Sequence, residues 1–172
     1  MIELEKTYLV KFLPPGLENC KKKEVFDIYI PQGKEHPTLR IRKNGTVYEI
    51  TKKEPIHQGD SSTQQEQTIL LREDEFRELQ KLDGKKVRKM RYMYPYHGML
   101  AEVDVFLDAL LGLILVDFEF DTHEDKDAFH MPDFCLAEVT QEKFTAGGML
   151  CGKSYGDIEK ELLHYKYKKI FL

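Results

Sequence analysis

Apolar and polar residues alternate along most of residues 1–120, the signature of strands with one face toward a core and the other toward a polar environment. Residues 1–12 open as a strand that Pro14-Pro15-Gly16 ends. Glu24 to Ile30 reads as a second strand, rich in β-branched and aromatic residues, after a solvated basic loop at Lys21 to Lys23. Thr38 to Lys43 and Thr46 to Lys53 flank Asn44-Gly45, a strong hairpin signal. Pro55 to Gln65 reads as a long polar loop, and Glu66 to Leu71 as a returning strand. Val87 to Tyr94 and Met99 to Phe106 read as strands around a His97-Gly98 turn, followed by a strand at Ile114 to Phe120. Helical spacing is brief: Glu73 to Leu82, a turn at Leu107 to Leu111, and Gly156 to Tyr165. Asp121 to Asp127 reads as an exposed acidic turn. The pattern predicts about eight strands and a few helices in one domain over residues 1–172, with antiparallel β dominant.

Side chains two apart on a strand share a face, and that spacing organises the charges. Glu3 and Glu5 point one way, as do Asp117 and Glu119, and Glu102 and Asp104 in Ala101-Glu-Val-Asp104. Arg40 and Arg42 repeat the spacing with positive charge, as do Lys89 and Arg91. A two-residue turn at Asn44-Gly45 pairs Lys43 with Thr46, Arg42 with Val47 and Arg40 with Glu49. That places Lys53 on the face of the arginines and turns Lys52 away. Each pair alone also fits a solvated strand face. Together, carboxylates for a divalent cation and guanidinium forks for phosphate oxygens point to a metal-dependent phosphate site.

Formal net charge is −4, which argues against a general nucleic-acid coat protein. The longest apolar run, Ala109 to Val116, is too short to span a bilayer. Cys20, Cys135 and Cys151 have no metal-ligand spacing, and reduced thiols in a cytoplasm are their simplest account. The six histidines are scattered, without zinc spacing. Gly147-Gly148 reads as a turn near the site, and Tyr92, Tyr94 and Tyr96 as barrel packing.

The ordered motifs resemble the CYTH, or triphosphate tunnel metalloenzyme, superfamily over nearly the whole chain. They are Glu3-Leu-Glu5-Lys6-Thr7, Arg40-Ile-Arg42, Thr51-Lys-Lys53, Lys89-Met-Arg91 and Asp117-Phe-Glu119, with Glu66, Ala101-Glu-Val-Asp104 and Leu111-Gly-Leu113 between them. The resemblance implies an eight-stranded antiparallel barrel around a tunnel, with a few peripheral helices, an α+β fold that is mainly β. It implies metal-dependent hydrolysis of a triphosphate, inorganic or organic, by relatives of tripolyphosphatases, thiamine triphosphatases and class IV adenylyl cyclases. Glu3, Glu5, Asp117 and Glu119 would hold Mg²⁺ or Mn²⁺, while Arg40, Arg42, Lys53, Lys89 and Arg91 bind phosphate. Glu3, Glu5, Lys89 and Arg91 would act in catalysis, with Glu66, Glu102 and Asp104 orienting the cations or holding a second ion. The expected partner is a triphosphate-containing small molecule, with no nucleic acid or membrane and with a homodimer left open.

Two departures stand out. The lysine that closes the family's first motif is Thr7 here, while Lys6 has the wrong parity and Lys11 lies about 13 Å further along the strand. Asp117 replaces the first glutamate of the late pair. The alternatives to hydrolysis are an adenylyl cyclase and a module that binds polyphosphate or nucleotide without turning it over.

Overall fold

The computed structural model describes residues 1–172. Nine strands form one antiparallel sheet in the order β5-β4-β3-β2-β6-β7-β8-β1-β9, and a further β1–β5 pairing closes eight of them into a barrel. The strands are β1 Ile2–Val10, β2 Lys22–Ile30, β3 Leu39–Asn44, β4 Val47–Pro55 and β5 Thr63–Leu71, then β6 Lys85–Tyr96, β7 Met99–Phe106, β8 Ile114–Phe120 and β9 Cys135–Glu138. Four helices complete the fold: α1 Glu73–Leu79, α2 His123–Ala128, α3 Gly147–Leu150 and α4 Tyr155–His164. No helix is long and apolar enough to cross a membrane.

The closing seam is uneven. One edge of β1 pairs with β8 from Leu4 to Leu9. Its other edge is shared, with β5 taking Ile2 to Leu4 and β9 taking Tyr8 to Val10. Between them, Thr7 N–H donates to Thr140 Oγ1 (3.1 Å), and Val139 N–H donates to the Thr7 carbonyl (2.8 Å). The segment after β9 therefore completes the wall that β5 leaves open.

Outward positions of β1, β6, β7 and β8, among them Tyr8, Tyr92, Val103, Val116 and Phe118, join one buried cluster with Phe134 and Cys135. Tyr94 and Tyr96 pack against the same cluster, so the alternating tyrosines are outer-wall packing. Inward positions divide by depth. Leu9, Tyr29, Val87, Phe106 and Leu115 join a second cluster with Phe144, Leu150, Ile158 and Leu162 from the C-terminal segment. Most of the remaining inward positions are charged or polar, so the C-terminal segment supplies the apolar packing beside a polar interior.

Several boundaries differ from the sequence reading, each for a local reason. Asn44 stays in the β3 ladder because it also pairs with Val25 of β2. The turn is therefore Gly45-Thr46, with Gly45 at φ +64° and its N–H donating to the Glu24 carbonyl (2.8 Å). Register moves by two residues, so Arg42 faces Glu49 and Arg40 faces Thr51. A shift of two keeps every side chain on its expected face. β2 begins at Lys22, within the expected loop, and β5 at Thr63, which shortens the loop before it. Thr122 accepts from Asp125 N–H (3.1 Å) and caps a short helix where an acidic turn was expected. α1 stops at Leu79, and α4 starts at Tyr155 behind a Ser154–Asp157 capping box. β9 has only four residues and carries no alternation long enough to read.

Candidate active site

The polar interior is a cavity of about 400 Å³. Every residue proposed from the sequence for metal, phosphate or support lines it: Glu3, Glu5, Arg40, Arg42, Lys53, Glu66, Lys89, Arg91, Glu102, Asp104, Asp117 and Glu119. They come from seven strands, and the two-residue alternation on each strand brings them to one face. Lys6 points outward toward Glu138 (4.0 Å), Lys52 pairs with Glu54 (3.0 Å), and Lys11 is exposed beyond β1.

Most of the cations are held by carboxylates. Asp104, 1% exposed, accepts from Arg91 Nε and Nη2 (both 2.7 Å) and from Lys89 Nζ. Burial would raise its carboxyl, but Arg91 and Lys89 outweigh that and hold it well below the usual carboxylate range. Arg91 also pairs with Glu102 and lies 3.7 Å from Asp117. Asp27 takes a two-pronged grip from Arg42, through Nε (2.6 Å) and Nη2 (2.8 Å). Burial pushes Asp27 upward, yet Arg42 brings it down to about 2. Lys53 Nζ lies between Glu3 (2.7 Å) and Glu5 (2.9 Å), and those carboxylates hold it charged despite burial.

Arg40 is different. Its Nη1 donates to the Tyr29 hydroxyl at 3.3 Å, and its Nη2 lies 3.6 Å from Glu66. Its Nε is buried without any acceptor. A buried guanidinium with an unused N–H and two long contacts is poised to take an oxygen anion.

The acid side is crowded. Glu5 faces Glu119 across the β1–β8 ladder, and Asp117 faces Thr7 there and Glu102 across β7–β8. Burial, then the charges of Glu5 and Asp104, push Asp117 up to about 7. Burial, then Glu102, Glu3 and Glu5, push Glu119 up to about 7. The cavity lining holds ten carboxylates, including Glu142, against six lysines and arginines, including Lys143. The excess of four carboxylates calls for additional positive charge when a polyanion enters.

No protein-family model matches the chain. The inorganic triphosphatase of Nitrosomonas europaea is 34% identical over 150 residues, spanning 83% of this chain and 92% of that protein. A crystal structure of the inorganic triphosphatase NE1496 aligns with a TM-score of 0.63 at 28% identity, over 88% of this chain and 95% of that one. The chain belongs to the CYTH, or triphosphate tunnel metalloenzyme, superfamily. A putative adenylate cyclase from Bacillus halodurans shares the CYTH fold, with a TM-score of 0.52 over 99% of this chain and 92% of that one, at 13% identity.

The superfamily's first-motif lysine has no substitute at the same position in this CYTH barrel. Thr7 points inward and donates its hydroxyl to Asp117 (2.7 Å). Other inward residues had escaped the motif reading. Asp27 and Tyr29 alternate on β2, where a single acid in an apolar run gave the only signal. Glu49 was on the inward face without an assigned role, and lies 3.9 Å from Arg42. Gln64 donates to Glu5 (2.9 Å) from a stretch read as loop. Gly147 and Gly148 line the cavity too, and a side chain at Gly147 would overlap the Tyr29 hydroxyl.

Proposed function

We propose that this protein hydrolyses a triphosphate, inorganic tripolyphosphate before any organic one, with Mg²⁺ or Mn²⁺. The observation that carries the reading is Arg40, whose Nε is buried and unsatisfied in a cavity that gathers five inward cations from three strands. The 34% identity to an inorganic triphosphatase supports the same substrate class.

The residues present fit a divalent ion. Glu3 and Glu5 already converge on one cation, the Lys53 ammonium. Glu119 and Asp117 stand on the neighbouring strand with proton affinities raised by burial and then by the neighbouring carboxylates. Carboxylate oxygens are the donors that Mg²⁺ and Mn²⁺ prefer. Glu3, Glu5, Asp117 and Glu119 would hold the ion, with Lys53 released toward phosphate. When bound, the ion neutralises phosphate charge and orients an attacking water.

The chain's own residues do the rest. Arg40 and Lys53 bind phosphoryl oxygens from one side, and Lys89 and Arg91 from the other, each lowering the energy of charge that develops there. Asp104 fixes Lys89 and Arg91, so these cations need little reorganisation during the reaction. Arg42 is engaged by Asp27 on two nitrogens, so its remaining nitrogen is what faces phosphate.

A cavity near 400 Å³ lies at the small end of ligand pockets, and only five of its 33 lining residues are hydrophobic. Its aromatic rings, Tyr29 and Phe106, are packed into the apolar cluster. That lining suits a compact polyanion better than a nucleobase. The test is orthophosphate release from tripolyphosphate in competition with ATP. A preference for ATP, or cyclic nucleotide as product, would reject the inorganic substrate.

A further inference from the structure

Arg40 differs from the other inward cations in what holds it. Asp27 grips Arg42, Asp104 takes Arg91 and Lys89, and Glu3 and Glu5 take Lys53, so each of these cations faces a carboxylate that offsets its charge. The side-chain hydrogen bond from Arg40 goes instead to a neutral oxygen, the Tyr29 hydroxyl, at 3.3 Å. Its carboxylate neighbour, Glu66, stands back at 3.6 Å. A phenol below its ordinary pKa of about 10 directs a guanidinium without cancelling its charge. The hydroxyl is in turn fixed by the C-terminal segment. Tyr29 lies opposite Arg40 across β2 and β3, is 4% exposed, and packs in one cluster with Leu150, Tyr155 and Ile158. Gly147 sits against the hydroxyl itself. Its backbone lies outside the left-handed region, so what demands glycine there is space: a Cβ would overlap the phenol oxygen.

We propose that Tyr29 is a positioning residue for substrate binding: seated by Gly147, its hydroxyl keeps Arg40 aimed into the cavity with its positive charge uncompensated. The inference rests on the reading of Arg40 as a phosphate ligand. Loss of the hydroxyl leaves Glu66 as the acceptor beside the guanidinium. Closing that 3.6 Å gap pairs Arg40 with a carboxylate instead of presenting it to phosphate. A carboxylate in the place of Tyr29 would hold Arg40 as Asp27 holds Arg42, and would offset the charge that substrate needs. The C-terminal segment therefore acts on the phosphate site through one neutral oxygen, which borders the cavity beside Arg40.

The experiment measures Kd by titration calorimetry in Mg²⁺ for tripolyphosphate with methylene groups in place of its bridging oxygens, so that binding is read without turnover. The full chain is compared with Tyr29→Phe, Arg40→Ala, Gly147→Ala and the double variants of Tyr29→Phe with each of the other two. Tyr29→Phe keeps the packed ring and deletes one oxygen, and should raise Kd roughly 3- to 10-fold, the loss of one hydrogen bond. In the Arg40→Ala background the same substitution should change Kd by less than about twofold, because Tyr29 acts through Arg40. Gly147→Ala should weaken binding as Tyr29→Phe does and add less than about twofold to it, since the overlap is with the hydroxyl. If Gly147→Ala does not fold, the Tyr29–Arg40 cycle decides alone. An unchanged Kd in Tyr29→Phe overturns the proposal. So does an equal effect of Tyr29→Phe with and without Arg40, the mark of packing alone. A Kd unmoved by Arg40→Ala, or a wild type that does not bind, rejects the phosphate-site reading itself and the inference with it.

Discussion

Arg40 and Arg42 are two residues apart on one strand face, yet the structure assigns them different work. Arg42 grips Asp27, which is 2% exposed, through two short hydrogen bonds. Removing Arg42 leaves a buried carboxylate without its partner, a change that costs about 3–5 kcal/mol. For a chain of this length that lowers Tm by roughly 6–20 °C. Arg40 makes only long contacts, to Tyr29 and Glu66, and both partners border the cavity, where water can replace a guanidinium. Arg40→Ala should therefore cost under about 1 kcal/mol and shift Tm by less than about 4 °C. Its effect on substrate should be large. A hydrogen bond to a charged group contributes about 1.5–3 kcal/mol, so KM for tripolyphosphate should rise roughly 10- to 150-fold. The assay pairs thermal melts of both alanine variants with phosphate release over a range of tripolyphosphate concentrations. An unchanged KM for Arg40→Ala, or equal loss of Tm in the two variants, would refute the division of labour.

Three further outcomes are expected. Glu5→Gln removes one charge from the acid cluster, and half-saturation by Mg²⁺ should require at least about tenfold more ion; an unaltered requirement would place the ion elsewhere. Asp27 is held at about 2 against an ordinary 3.8, so its contribution is complete above pH 3.8 and is lost as pH falls toward 2. Urea denaturation should show the stability gap between wild type and Asp27→Asn shrinking by about 2 kcal/mol between pH 5 and pH 2, and a constant gap would contradict the pairing. Burial pushes the Cys135 thiol up to about 12 and Cys151 up to about 11. In the native protein a thiol reagent should label Cys20 alone, and all three cysteines only after unfolding.

The sequence was most legible where parity alone carries the information. The hairpin register was off by two residues, because the β2 partner of Asn44 cannot be read locally, yet Arg40, Arg42, Thr51 and Lys53 kept their face. Period-two alternation survives an even slip, so the inward set was recoverable without the true pairing. What depends on long-range contact was not. Asp27 looks like any lone polar residue in a strand until Arg42 faces it across β2 and β3. β9 and the Thr140 contact to Thr7 fill a gap left by β5, a need that arises only once the barrel closes. Gly147 and Gly148 read as a turn, and only their packing beside Tyr29 and Pro37 shows why no side chain fits there.

The departure at Thr7 bears most on activity. Its hydroxyl bonds to Asp117, so the cavity holds an orienting donor where the family's pattern has a cation. Five inward cations remain, and the acid excess favours a metal-loaded substrate over a bare one. The most direct measurement is orthophosphate release from tripolyphosphate, ATP and thiamine triphosphate, each with Mg²⁺, with Mn²⁺ and with a chelator. The account predicts turnover that is fastest for tripolyphosphate and abolished by the chelator. Turnover that persists in the chelator, or tight tripolyphosphate binding with no release under any condition, would contradict it.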